Sequence, residues 1–193
     1  MPTDEELARA YADGDKSAFD VLFARYRRPI FSYVYRTVGS RAGAEDISQE
    51  VFLRVHKRID SFEPRSRFAA WVFTIASNAC RDELRRRKRA HWLSFGLAAP
   101  EPQAEIDIEG EALNAELHGM VLRELRHLDE RHRQVFLLRT HGNLLFREIA
   151  DMLNIPLNTA LGRYHQVVVA LKAALTESRR PGNEEKAGKG SER

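Results

Sequence analysis

The sequence predicts an all-α chain: two small helical domains joined by an acidic flexible linker. Three observations carry this. Apolar residues recur at helical spacing almost throughout, strand-type alternation is absent, and Gly and Pro are sparse within the periodic runs. The charge is also divided into blocks. Residues 1–92 hold 18 Lys/Arg against 13 Asp/Glu, residues 93–118 hold none against 6, and residues 119–176 hold 8 against 5. Two basic blocks thus flank an acidic connector although the whole chain of 193 residues is only +3. A basic block points to a polyanionic partner.

The expected elements follow in order. Leu7–Asp13 reads as a short helix. Lys16–Val38 reads as a longer one with Phe19, Leu22, Phe23, Tyr26, Ile30, Tyr33 and Val34 on one side. Pro29 is expected to bend or break it, and Gly39-Ser40 to end it. Ala44–Ile59 is a third helix, buried through Ile47, Val51, Phe52, Val55 and Ile59. Its exposed face carries Asp46, Gln49, Glu50, His56 and Lys57, with Leu53 in their midst. A lone exposed Leu is ordinary; ringed by carboxylates and an amide it also resembles a protein-docking anchor.

Asp60–Arg67 is a turn containing Pro64. Phe68–Arg89 is the fourth helix, with Phe68, Val72, Ile75, Ala76 and Ala79 on one stripe. The opposite stripe holds Thr74, Ser77, Asn78, Arg81, Arg85 and Lys88, with Trp71 at the seam. That face suits nucleic acid: phosphates at the basic end, bases in the polar middle. It also suits an ordinary solvated surface. Phe62, Ser66 and Arg67 in the preceding turn can hold an extruded base by stacking, hydrogen bonding and phosphate pairing; alternatively Phe62 only packs the turn onto the core.

Ala90–Glu111 reads as linker. Helical period resumes near Ala112, and Leu122–Thr140 forms an amphipathic helix through Leu125, Leu128, Val135, Phe136 and Leu138. A helix-turn-helix pattern follows: Phe146–Leu153, the turn Asn154-Ile155-Pro156, and Leu157–Leu175. Ile149, Ala150, Leu153, Ile155, Leu161 and Tyr164 are expected to close its core. Asn158, Thr159, Gly162, Arg163, His165 and Gln166 occupy the part of the second helix that reads base edges, Arg163 suiting guanine and Asn158 or Gln166 adenine. The domain expectation is therefore 1–92, linker 93–111, 112–176, and a polar, disordered tail 177–193.

The lone Cys80 excludes an internal disulfide or a multi-cysteine metal site, and falls on the apolar side of its helix. No signal peptide or membrane span is read. His118, His127, His132 and His141 do not share one helical face, no Gly-rich phosphate loop is present, and no cofactor or catalytic set is expected.

These pieces, in this order, resemble a bacterial RNA polymerase sigma factor of the extracytoplasmic-function (ECF) group. The resemblance runs from about Ala18 to Leu175. It rests on AEDISQEVFLRV followed by FAAWVFTIASNACRDELRRRKR, and on LDERHRQVFLLRTHG followed by REIADMLNIPLNTALGRYH. It implies a cytoplasmic initiation factor that makes no covalent chemistry itself. Asp46, Gln49, Glu50 and Leu53 would dock on the clamp coiled coil of core RNA polymerase, whose flap is a further partner. Phe62, Ser66, Arg67, Trp71, Asn78, Arg81 and Arg85 would melt and hold the minus-ten element, with Arg85–Arg89 on phosphates. Asn158, Thr159, Arg163, His165 and Gln166 would read the minus-thirty-five element. The linker would thread toward the polymerase active site and RNA exit path, and an anti-sigma partner is expected. One departure is Gln166–Ala170, where the family usually has several cations; here the next is Lys172. Fewer phosphate contacts flatten the salt dependence at that end. A stand-alone DNA-binding regulator would account for residues 112–176 but leaves 44–89 without a role.

Overall fold

The computed structural model describes residues 1–63, 66–93, 119, 121, 123–125 and 127–178, and none of these is in a strand. Most of the linker and the end of the tail lie outside them. Among the described residues, those within Met1–Glu105 and Leu137–Leu157 pack as one compact unit; those within Ile106–Phe136 and Asn158–Arg193 form a second.

Helix α1 spans Asp4–Ala12. It starts earlier than its apolar pattern implies because Thr3 and Glu6 form a capping box: the Thr3 hydroxyl accepts from the Glu6 N–H at 3.1 Å, and Glu6 accepts from the Thr3 N–H at 2.8 Å. Helix α2 spans Lys16–Val38, capped by Asp15 and ended by Gly39 at φ 74°, a left-handed conformation that glycine adopts without strain. The expected break at Pro29 does not occur. Proline deprives the Arg25 carbonyl of its helical donor, but Tyr26 and Ile30 on either side are buried, and that packing holds the helix through the defect. Helix α3 spans Arg41–Arg58. It begins one turn before Ala44, because the Ser40 hydroxyl accepts from the Gly43 N–H at 3.1 Å.

A 3₁₀ turn, Ile59–Ser61, leads towards helix α4, Phe68–Leu93. Helices α1 to α4 pack around Leu22, Ile30, Tyr33, Val34, Val51, Val55, Phe68, Val72 and Phe73, all at most 2% exposed. The Tyr33 and Phe73 rings meet edge-on at 5.5 Å. All five residues of the expected apolar stripe of α4 are buried, and Cys80 is 1% exposed. Burial pushes the Cys80 thiol up to about 12, with the Glu83 charge adding to it, which removes its nucleophilic form at neutral pH.

The single helix expected over Leu122–Thr140 is interrupted at Leu128-Asp129. Asp129 caps a new helix, α5 (Glu130–His141), by accepting from the Arg131 N–H at 3.1 Å. The helix-turn-helix segments fall where expected: α6 is Phe146–Leu153 and α7 is Leu157–Ser178, with Asn154 left-handed at φ 51° between them. The packing face of α7 differs from expectation. Ala160, Val167 and Leu171 are buried, whereas Leu161 is 41% exposed. Residues 160, 164, 167 and 171 fall on one stripe, and Leu161 is rotated a further 100° away. Tyr164 of that stripe stacks on Phe136 at 5.8 Å.

Candidate polymerase and promoter interfaces

The α3 face is laid out as the sequence implies. Asp46, Gln49 and Glu50 are exposed and Leu53 is 47% exposed among them. Glu50 accepts from Arg54 Nε at 2.8 Å, an i,i+4 pair on the solvent side. The sequence did not reveal that this face continues onto α2. Leu53 lies on the wall of an apolar groove of about 460 Å³ between the two helices, lined also by Phe19, Phe23, Phe31 and Phe52, with Arg27 and Glu45 contributing charge. Phe23, expected in the core, is 40% exposed there. Its ring meets Phe52 edge-on at 4.7 Å. The signal present in the sequence was an apolar stripe on α2 too wide for one buried seam.

The second site is built on the start of α4. The first turn of any helix leaves N–H groups unsatisfied; here Glu5 of α1 reaches across, and its Oε1 accepts from the Phe68 N–H at 3.0 Å. Asp4, next to it, binds Arg25 at 2.5 Å and accepts from the Tyr26 hydroxyl. Burial, together with that hydrogen bond and the nearby Asp4 charge, raises the Tyr26 pKa above its ordinary value. Helix α1 therefore pins the turn that precedes α4.

Around that turn the implied minus-ten residues divide. Ser66, Arg67, Asn78, Arg81 and Arg85 are exposed and Trp71 is half-buried. Phe62 is 8% exposed, its ring edge-on to Phe68 at 5.7 Å and Trp71 at 5.5 Å, so in this conformation it packs the turn onto the core. Ser77, placed on the polar stripe by periodicity, is 2% exposed. The polar face is therefore narrower than the sequence suggested: the helix is covered on that flank as well. Thr74 donates to the Ala70 carbonyl at 2.8 Å. Arg81 Nη1 donates to Asn78 Oδ1 at 3.1 Å, which engages the Asn78 carbonyl oxygen.

The basic end of α4 also divides. Glu83 accepts from Arg86 Nε at 2.8 Å and Arg87 Nε at 2.7 Å, and Arg87 Nη1 donates to the Val38 carbonyl at 2.9 Å. Burial alone would raise the Glu83 pKa, but these hydrogen bonds and the two guanidinium charges hold it below the ordinary value. Arg87 thus clips α4 to the end of α2. Arg81, Arg85, Lys88 and Arg89 remain exposed along the helix.

On α7, Asn158, His165 and Gln166 are exposed and Thr159 and Arg163 half-exposed. At 100° per residue these five fall within one arc of about 160°, opposite Ala160 and Val167. Gly162 lies inside that arc, with nothing within 4 Å of where a side chain would begin. The Asp129 carboxyl is held below its ordinary range chiefly by the Arg131 N–H, with Arg163 among the charges that help.

No helix among the described residues is long and apolar enough to cross a membrane. The family model for Sigma-70 region 2 matches residues 22–90, and that for Sigma-70 region 4 matches residues 125–173. The ECF RNA polymerase sigma factor SigW of Bacillus subtilis is 31% identical over 172 residues, covering 85% of this chain and 92% of that one. Among solved structures, CnrH in complex with the cytosolic domain of CnrY is similar at a TM-score of 0.66 and 25% identity, over 90% of this chain and 97% of that one. The sigma factor RpoE in complex with the anti-sigma factor NepR, from Bartonella quintana, shares the fold at a TM-score of 0.72 and 21% identity, over 82% of this chain and 96% of that one. With its exposed α3 face, its polar and basic α4 stripe and its helix-turn-helix in this order, the chain belongs to the ECF family of RNA polymerase sigma factors, the initiation factors that direct core polymerase to promoters.

Proposed function

We propose that the residues named above divide the family's work as follows. Residues 1–92 dock on polymerase and melt the minus-ten element, 93–111 form the linker, and 112–176 read the minus-thirty-five element. Asp46, Gln49, Glu50 and Leu53 contact the clamp coiled coil, with the neighbouring groove receiving apolar side chains of that partner. Asn78, Arg81 and Arg85, with Ser66, Arg67 and Trp71, hold the opened minus-ten strand, and Phe62 joins them only after leaving its core position. Asn158, Thr159, Arg163, His165 and Gln166 face the minus-thirty-five bases, and the same domain meets the flap. The chain works in the cytoplasm, catalyses no reaction of its own, and is held in check by an anti-sigma partner. The similar CnrH, solved in complex with the cytosolic domain of CnrY, supports a protein partner for this chain.

One observation carries the division of labour. The exposed Leu53 face and the exposed Asn78–Arg85 stripe lie on different helices of one rigid core, so each can be altered without disturbing the other. The test is transcription with core polymerase on pooled genomic fragments, with start sites mapped. Discrete starts behind a shared two-block sequence are expected. Asn78→Ala should lower open-complex formation while leaving polymerase co-elution intact, and Leu53→Asp should abolish co-elution. Equal loss of both steps in either variant would refute the division.

A further inference from the structure

We infer that the free protein shields its own promoter-melting turn with an ion pair between Arg67 and Glu148. The inference rests on the proposal that Arg67 belongs to the minus-ten site. Both residues lie in the same compact unit. Arg67 immediately precedes α4, and its Nη1 stands 2.9 Å from Glu148 Oε2 on α6, 81 residues away in sequence. The Glu148 side chain is 18% exposed and that of Arg67 42%. The same Glu148 oxygen accepts from the Leu145 N–H at 2.7 Å, so the carboxylate is fixed in direction by the start of its own helix.

A second contact holds the same stretch of chain against α4. A Cβ built at Gly142 would come within 3.3 Å of Phe73 Cδ2 and 2.7 Å of the Leu138 carbonyl oxygen. The closer of these two approaches is to the end of its own helix, α5, and the other sets this stretch of chain against the Phe73 side chain of α4. Beside it Leu144 is fully buried. Arg139 fastens this loop from its own side, donating to the Leu144 carbonyl at 2.8 Å and lying over the Phe146 ring at 5.4 Å. Residues 142–148 are thus an ordered cover seated on α4 and its leading turn.

The electrostatic consequence is direct. A nucleic-acid phosphate approaching Arg67 meets a carboxylate already bound to it and must displace that carboxylate. A half-exposed ion pair is weak, so the device attenuates binding and does not abolish it. The apparent affinity of the free chain for a single strand falls by the fraction of molecules in which Arg67 is uncovered.

The test is binding of a short fluorescein-labelled single-stranded DNA to the full chain without polymerase. Glu148→Gln keeps the oxygen that caps Leu145 and removes the charge. Its affinity should rise about two- to fivefold at low salt. Glu63→Gln, which removes a carboxylate from the same turn without touching the pair, controls for general charge loss and should give a smaller rise. Equal rises in both variants, or none in Glu148→Gln, would overturn the shielding. Adding Arg67→Ala to Glu148→Gln separates the two ideas. If DNA binding then falls while Glu148→Gln alone matches wild type, shielding fails and the minus-ten role stands. If Arg67→Ala changes nothing in that background, the role of Arg67 in the minus-ten site fails, and shielding with it.

Discussion

Helices α4 and α7 both present a polar face opposite a buried one, yet they are built differently. On α4 the buried side spans about four turns around Val72 and Phe73, its first turn is capped by another helix, and its exposed side ends in a run of cations. The proposed reading arc of α7 holds a single arginine, Arg163, followed by Gln166 and the largely apolar Val167–Ala170, of which Val167 is fully buried. The first helix has exposed cationic charge on a well-buried support; the second exposes amides and one guanidinium with few neighbouring cations. With the roles proposed for these helices, a chain made this way would depend on the minus-ten end for affinity and use the minus-thirty-five end for discrimination.

The rigidity of α4 is the first point to break. Phe73→Ala removes a fully buried ring that meets Tyr33 edge-on, and should destabilise the α1–α4 core by about 3–5 kcal/mol, read as a lower urea midpoint at unchanged slope. The next comparison is between arginines. Arg163→Ala should cost about 1–3 kcal/mol at one promoter position and relax the base preference there, whereas Arg85→Ala should weaken binding across sequences and reduce the salt slope by about 1. The opposite pattern would reverse the roles assigned to the two helices. Glu5→Ala should cost about 1 kcal/mol through the lost cap, with faster amide exchange at the first turn of α4 and none of that change in α7.

The smallest effect is on pH dependence. Because the folded pKa of Glu83 lies below the ordinary 4.5, its stabilisation is complete above the unfolded value and is lost as pH falls through the folded one. Glu83→Gln should therefore lower stability modestly near neutrality and flatten the acid limb, so that the two curves converge at low pH, as read by thermal melts across that range.

Much of this was legible in the chain because it depends on period. The stripes of α3, α4 and α6, the left-handed stop at Gly39 and the turn at Asn154 are local patterns with local causes. Even the early start of α1 was written as Thr3-Asp4-Glu5-Glu6, a capping box that the apolar period alone does not show. What escaped depends on partners distant in sequence. Ser77 and Leu161 changed sides because neighbouring elements decide which flank of a helix is covered. The helix is not broken at Pro29, where buried residues on both sides hold it through the missing hydrogen bond. The groove beside Leu53 needs α2 and α3 together, and the hold of Glu83 on Arg86 and Arg87 withdraws two cations that composition had counted toward phosphate. Of the implied minus-ten set, Phe62 shows that an aromatic next to a basic turn has a second use, since the core takes it first.

The hydrogen bond from Phe68 to Glu5 has a consequence for how the molecule is made. It links positions 63 apart in sequence, from a helix ahead of the matched region-2 segment to the start of α4. During synthesis α1 emerges first and must wait for its partner until α2 and α3 are complete, so the turn before α4 is among the last parts of the α1–α4 bundle to settle. A nascent or partly refolded chain can hold its α2–α3 face in order while the turn before α4 is still loose, so that with the proposed roles it would acquire the capacity to meet polymerase before the capacity to open DNA.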